Sequence, residues 1–351
     1  MKQYIIIFSC LILFCRCVTE YKAPNIEEMT DILVVEGIIT DDESTITLSR
    51  SINLTEEEYW TPVYVDNANV YVECDDGTQW GAENYYNNDG QYTIKTGKLN
   101  PERKYCLKIK IDTYEYISDF SHPIKTPEID SVFWIKRGQG QPIMMHVATH
   151  SPNNEVLYYR WSYKEDWEMR PEYILRGYPQ QCWSSANSKE ILLGSAERTV
   201  FGQLTDKIFE SPSRDKRWSV LYRITLKQNA ISKRAYNYFA NIKKNAGNMG
   251  SIFAPIPSEL RGNIICITNP GRPVIGYIEV SSTTQIIRYI SKSDNLYESY
   301  LDCFVYDGAT LIAKYGVIPY EYINLGNGSY INLVCVECNG TMQKPDDWPN
   351  N

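Results

Sequence analysis

Histidine is scarce in this sequence, and the short motifs that mark the common enzyme classes are missing from it. Only 3 of the 351 residues are histidine. His146 and His150 stand in a run that reads as a β-strand, where four residues span about 13 Å, too far for one shared metal ion. The sequence contains no GxSxG, HExxH, P-loop or GxGxxG motif. It therefore predicts no metal, no cofactor and no catalytic residue.

The sequence has fewer basic than acidic residues, and it has no long apolar run after the first 17 residues. Lysine and arginine total 35 against 43 aspartate and glutamate, a net charge of -8. Nucleic-acid-binding proteins use basic patches, so no nucleic-acid partner is expected. No run beyond residue 17 is long and apolar enough to cross the roughly 30 Å of membrane hydrocarbon. The sequence therefore does not predict an integral membrane protein.

The first 17 residues read as a signal peptide. Lys2 precedes an apolar run from Tyr4 to Phe14, which as a helix would be roughly 16 Å long, too short to span a bilayer. The run ends in two cysteines instead of a small-residue cleavage site. Cysteine at this junction resembles the bacterial lipobox, whose thiol receives a diacylglyceryl group. Cys17 is the preferred lipidation site because polar residues begin directly after it; Cys15 is the alternative, and plain secretion with cleavage nearby stays open.

Seven cysteines follow the leader, an odd number, so at least one is expected to lack a partner within the chain. They are Cys74, Cys106, Cys182, Cys266, Cys303, Cys335 and Cys338. Outside the cytoplasm some should form disulfides. Cys74 and Cys106 fall in one domain and are the expected intradomain bridge. The Cys335–Cys338 CxxC could bind zinc with Cys303 and Cys182, but disulfide bonding is the favoured interpretation.

The chain after the leader divides into a tether and two β-rich domains. Residues 18–30 are polar and read as the tether. Residues 31–126 contain short period-two strands separated by turns, which indicates an antiparallel β-sandwich. Thr126-Pro127 is the expected linker, and residues 127–351 form the second domain. The second domain contains one inserted helix, for which Ser232 is the expected N-cap and Gly247 the expected end.

One acidic and aromatic segment of the second domain is the candidate binding site. Its members are Trp161, Glu165, Trp167 and Glu168. Paired carboxylates beside aromatic rings would suit a carbohydrate site, or a glycan hydrolase if the carboxyl groups lie about 5 to 9.5 Å apart. A solvated strand end with aromatic packing is the simpler interpretation. Aromatic residues in the first domain are further candidates for partner contact: Tyr59, Trp60, Trp80, Tyr85 and Tyr86.

A series of short stretches, in order along nearly the whole chain after the leader, resembles one family. The stretches include LVVEGIIT at 33–40, DGQY at 89–92, YYRWSYKEDWE at 158–168, CW at 182–183 and CNG at 338–340. The chain is similar to the domain of unknown function 4249 family, outer-membrane-associated lipoproteins of Bacteroidota. Each stretch is weak alone, but the ordered series is specific.

The resemblance carries several expectations. It implies a prealbumin-like or immunoglobulin-like first sandwich, a second β-rich domain, and a structural disulfide involving Cys182 and the C-terminal cysteines. It implies lipid anchoring at the outer membrane, with the periplasmic or cell-surface face left open. Family members often occur beside TonB-dependent receptors, which suggests a binding or accessory role in nutrient uptake or an envelope assembly. The alternatives are an envelope glycan-active hydrolase and a structural surface protein or adhesin.

Overall fold

The structure, a computed structural model, is mostly β, as the sequence predicts. It describes residues 31–51, 62–83, 88–199, 202–247, 262–299, 303–338, 340–341 and 343–349. The expected signal peptide with Cys15 and Cys17, the tether at 18–30, and Tyr59, Trp60, Tyr85 and Tyr86 lie outside these residues. No helix in the described part of the chain is long and apolar enough to cross a bilayer.

Among the described residues, the first β-sandwich has ten strands around one apolar core. Eight of them come from the N-terminal part of the chain: β1 Leu33–Gly37, β2 Asp42–Arg50, β3 Val63–Tyr64, β4 Asn69–Cys74, β5 Gln79–Glu83, β6 Gln91–Gly97, β7 Tyr105–Ile111 and β8 Tyr114–Ser118. Alternate residues of these strands are buried, so Leu107, Ile109 and Ile111 on β7 enter the core while Lys110 is exposed. This period-two burial is the pattern that predicts a sandwich.

Two strands of the first sandwich come from far along the chain. Strand β16, Ile264–Cys266, pairs antiparallel with β8, and β17, Val274–Gly276, pairs parallel with β1. The sequence-based boundary after Thr126 assigned both segments to the second domain, and the structure corrects that assignment. Runs of three residues are too short to show a period, and their partners are more than a hundred positions away, so local pattern could not place them.

The second β-sandwich packs a three-stranded sheet against a larger one. The strands are β9 Ile129–Lys136, β10 Ile143–His150, β11 Tyr158–Met169, β12 Cys182–Asn187, β13 Leu192–Ser195, β14 Gln203–Ser211, β15 Leu221–Ala230 and β18 Thr283–Ser291. One sheet has the order β14-β10-β9; the other has the order β12-β11-β15-β18, with β13 also paired to β11. Apolar residues from both sheets form a second buried core between them.

A long helix covers part of the outer face of the larger sheet. Helix α1 spans Lys233–Gly247, and the Ser232 hydroxyl accepts a hydrogen bond from the Ala235 amide at 3.2 Å, which is the predicted N-cap. Phe239 packs with Tyr158 and Tyr277 in a small cluster between the helix and both sandwiches.

The carboxylate of Glu279 holds the start of this helix. Glu279 is 5% exposed, and one of its oxygens accepts hydrogen bonds from the Ser232 amide at 2.9 Å and the Ser232 hydroxyl at 2.7 Å. Burial raises the pKa of the Glu279 carboxyl, although the bonds from Ser232 oppose the shift. Because the folded pKa lies above the unfolded value of 4.5, this group favours folding at low pH and loses that contribution as pH rises.

Glu279→Gln is therefore expected to increase the free energy of unfolding at neutral pH. The amide retains an acceptor oxygen for Ser232 without the cost of burying a charge. The gain over the natural protein should vanish below about pH 4, where the glutamate is protonated in both states. Chemical denaturation at several pH values measures this. Glu197→Gln is the control: Glu197 pairs with Lys233, which lowers its pKa, so it should give no neutral-pH gain.

A small C-terminal lobe contains one disulfide and is attached to the second sandwich by another. It contains β19 Tyr306–Asp307, α2 Gly308–Tyr315, β20 Tyr322–Gly326 and β21 Ser329–Asn332. Cys303 bonds to Cys335 within the lobe, and Cys338 bonds to Cys182 at the start of β12. The two cysteines of the CxxC therefore belong to different disulfides, in agreement with the disulfide interpretation of this motif.

The expected bridge between Cys74 and Cys106 is wrong. Both thiols are free and buried, as is that of Cys266. In the pairing of β4 with β7, Cys74 stands opposite Tyr105 while Cys106 stands opposite Glu73. Adjacent positions of a strand point to opposite faces of the sheet, so the two sulfur atoms are separated by the sheet itself.

Candidate functional site

Strand β11 carries all four predicted binding residues, but its two faces have different surroundings. Trp161 and Glu165 point into the second core and are each 4% exposed. The Trp161 indole donates to Gln228 at 2.8 Å. The Glu165 carboxylate accepts hydrogen bonds from Arg217 and Tyr222, each at 2.7 Å. Both side chains are enclosed by protein partners and do not line a cleft.

The other two predicted residues also have partners within the protein. Trp167 lies on the same face as Glu165, and the Arg217 guanidinium is 5.1 Å from its ring centroid. Glu168 lies on the opposite face, is 1% exposed, and accepts hydrogen bonds from Arg170 and Gln181. Because Glu165 and Glu168 are on opposite faces of one strand, they cannot share one cleft as a hydrolase pair.

The outer face of the larger sheet forms the floor of a polar cleft that sequence reasoning did not identify. Strand register places residues in rows across β12, β11, β15 and β18. One row is Ser185, Asp166, Arg223 and Tyr289; the next row is Asn187, Lys164, Thr225 and Ile287. Helix α1 covers the neighbouring part of this face, and the uncovered part is the cleft floor.

A buried ion pair lies at the centre of the first row. Arg223 donates from Nη2 to Asp166 at 2.7 Å and from Nε at 3.2 Å, and Ser185 donates to the other carboxylate oxygen at 2.6 Å. The side chains are 1% and 9% exposed for Asp166 and Arg223. Burial alone would raise the pKa of Asp166, but the hydrogen bonds from Ser185 and Arg223 outweigh it and hold that pKa below its usual value. Asp166 is therefore ionised at neutral pH.

The walls of the cleft come from both ends of the chain. Thr45 and Thr47 on β2 of the first sandwich form one wall. The C-terminal segment 343–349 forms another, and Arg223 donates to the backbone carbonyls of Asp346 and Asp347 at 3.4 Å each. Trp348 lies beside the same guanidinium, 5.2 Å from ring centroid to Cζ. The ion pair thus joins the floor of the cleft to its C-terminal wall.

One disulfide and one pair of backbone hydrogen bonds hold this C-terminal wall in place. The disulfide from Cys338 to Cys182 brings the chain back to β12. Directly after it, Trp183 and Thr341 exchange two backbone hydrogen bonds of 2.8 Å. The cleft between these walls has a volume of about 1000 Å³, which is the size range of small-molecule sites in proteins.

The sequence contained a usable signal for this site. The face of β11 that reads Ser162, Lys164 and Asp166 is polar, and period-two alternation separates it from the aromatic face of Trp161, Tyr163 and Trp167. We expected function on the aromatic residues, whereas the polar set lines the cleft. Of the aromatic residues proposed for partner contact, the described Trp80 is partly buried against the first core, 6.1 Å from Tyr105 between ring centroids.

Three of the solved structures that match this chain are only distantly similar to it. A chain of a cytokine receptor complex is 8% identical with a TM-score of 0.22, covering 73% of this chain and 95% of that one. A two-domain fibronectin type III segment from chicken tenascin is 9% identical with a TM-score of 0.18, covering 58% and 91%. A putative carbohydrate binding protein from Bacteroides uniformis is 11% identical with a TM-score of 0.13, covering 58% and 91%. Similarity this low carries no argument about function.

Comparison with curated proteins gives no match, whereas comparison with family models gives a clear one. The model of the domain of unknown function family DUF4249 matches residues 18–287. The matched part includes the first sandwich, all of β11 and β15, and most of the cleft floor. This chain belongs to the DUF4249 family.

Proposed function

We propose that this chain is a lipid-anchored binding protein of the outer membrane. It acts as an accessory component of a nutrient-uptake system, such as a TonB-dependent receptor, or of another envelope assembly. The cleft between the two sandwiches is its ligand site. The observation that carries the binding role is that both sandwiches and the disulfide-tied C-terminal segment converge on one polar cleft of about 1000 Å³.

The anchoring part of the proposal is supported by the leader and the polar stem that follows it. Cys17 is the proposed acylated residue, with Cys15 as the alternative. Two or more acyl chains hold a protein stably on a membrane, where one chain gives only marginal binding. Residues 18–30, if fully extended, would let the first sandwich stand at most roughly 45 Å from the lipid.

Cys17→Ala is expected to release the protein from the membrane. The variant cannot form the thioether to diacylglycerol, so it should move from the membrane fraction to the soluble fraction of the envelope. Cell fractionation and mass spectrometry of the mature amino terminus measure the change. Cys15→Ala is the matched control and should stay membrane-bound. An unmodified terminus beyond Val18 in the natural protein, or release by Cys15→Ala alone, would contradict the assignment of Cys17.

The accessory role is tested by purification from detergent-solubilised outer membranes of the native host. Affinity purification of the lipidated protein should recover a TonB-dependent receptor or another envelope protein in stoichiometric amount. The Cys17→Ala protein, which does not reach the membrane, should recover much less of it. Purification of the lipidated protein alone, under mild detergent and after crosslinking, would argue decisively against the accessory role.

A further inference from the structure

The polar groups of the cleft are mainly hydroxyls and amides. Seven serine and threonine residues line it, from both sandwiches and from the C-terminal segment. Thr45 and Thr47 line the same cleft as Thr225, and Asn187 adds an amide on the same floor row as Thr225. Such groups both donate and accept hydrogen bonds, which matches ligand hydroxyl groups in either role.

The charged groups of the lining nearly cancel. Four cationic residues face three carboxylates: Lys164, Arg223, Lys227 and Lys344 against Asp166, Asp346 and Asp347. On the floor, both Arg223 and Lys164 are already paired with Asp166, at 2.7 Å and 3.3 Å. Of the described cations on the floor, only Lys227 forms no ion pair. Because the charges of the lining nearly cancel, the lining fits an uncharged ligand better than a polyanion.

The described lining also includes three aromatic residues, Tyr163, Trp183 and Tyr289. Tyr289 ends the row of the ion pair, lines the cleft and is 39% exposed, so part of its side chain is accessible to a ligand. Trp183 lines the cleft where the C-terminal segment meets β12, and its side chain is 8% exposed. Its indole N–H has no hydrogen-bond partner among the described residues, although a buried indole N–H usually has one.

We propose that the ligand of the cleft is a neutral oligosaccharide. Its hydroxyls would bond to the threonine, serine and amide groups of the floor and walls. The apolar face of one sugar ring would stack on Tyr289. The inference rests on the proposed function, since it names the ligand of the same cleft.

The test measures binding of soluble neutral oligosaccharides by isothermal titration calorimetry. The panel contains α- and β-linked glucose, xylose, mannose and galactose chains of three to six units, with oligogalacturonate and mixed tripeptides as competing classes. At least one neutral series should bind the natural protein. Tyr289→Ala should weaken that binding about tenfold through loss of stacking. Thr45→Val/Thr47→Val, which keeps side-chain size, should weaken it as well.

Tyr320→Ala is the matched control, because Tyr320 is 98% exposed and does not line the cleft; it should bind as the natural protein does. Thermal unfolding of each variant confirms that it is folded. The inference would be overturned if only the acidic or peptide class binds, or if no panel member binds. It would also be overturned if both cleft variants bind the neutral oligosaccharide as the natural protein does. Membrane attachment and partner recovery are read separately, so the proposed function can survive that result.

Discussion

Removal of the disulfide between Cys182 and Cys338 is expected to cause the largest loss of stability. The bond joins residues 156 positions apart, so it strongly restricts the unfolded chain. For a closed loop of this size the expected contribution is about 5 kcal/mol. The double variant Cys182→Ala/Cys338→Ala should therefore unfold at clearly lower guanidinium concentration under oxidising conditions. Tryptophan fluorescence is a suitable probe because Trp183 lies beside the bond.

Two controls separate the effect of the bond from the effect of the cysteine side chains. Cys266→Ala removes a buried thiol that has no disulfide, and its effect should be much smaller. Cys303→Ala/Cys335→Ala opens a loop with a separation of only 32 and should loosen the C-terminal lobe while the second sandwich stays folded. A double variant of Cys182 and Cys338 as stable as Cys266→Ala would contradict the expectation.

Asp166→Asn is expected to destabilise the protein by about 3 kcal/mol, because it leaves the Arg223 guanidinium buried without a counter-charge. Arg223 is 9% exposed and also holds the C-terminal wall of the cleft. Urea denaturation at pH 7 measures the loss. Asp119→Ala is the control, because the pair of Asp119 and Arg234 is largely exposed, with 55% and 65% of the side chains accessible. The change in the free energy of unfolding caused by Asp119→Ala should be within experimental error.

The contribution of the Asp166 carboxylate to the free energy of unfolding should decrease as pH falls. Its folded pKa lies below the unfolded value of 3.8, so the carboxylate stabilises the fold above that value and loses this contribution as pH falls through the folded pKa. The gap between the natural protein and Asp166→Asn should therefore be full at neutral pH and close in strong acid. A gap that persists unchanged at low pH would show that shape, not charge, is responsible.

Local patterns were sufficient for the elements whose partners are near in sequence. The period-two pattern of residues 31–126 predicted short strands, and in β7 the alternate residues Leu107 and Ile109 are buried. Ser232 as N-cap and Gly247 as the end predicted helix α1, which is present with that cap and ends at Gly247. These features depend on the backbone and its immediate neighbours, and so they are readable from one sequence.

Features that depend on distant segments could not be read in the same way. The period-two pattern of β11 distinguished its two faces. It did not show which face packs against the second core and which lines the cleft with Thr45 and Thr47. The charged Glu165 lies on the core-facing side together with Trp161 and is buried as deeply as that residue. The pairing of Asp166 with Arg223, 57 positions away, appears only once register is known.

The sequence by itself determined the mostly-β class, the family, the helix and the set of cysteines available for bonding, because each of these is a property of composition, period or ordered motifs. Only the tertiary structure decided which cysteines bond, where β16 and β17 belong, and which side chains line the cleft. Those outcomes depend on sheet register and on contacts between segments far apart in the chain. A shift of one residue in register moves every side chain to the opposite face, and local sequence carries no record of that choice.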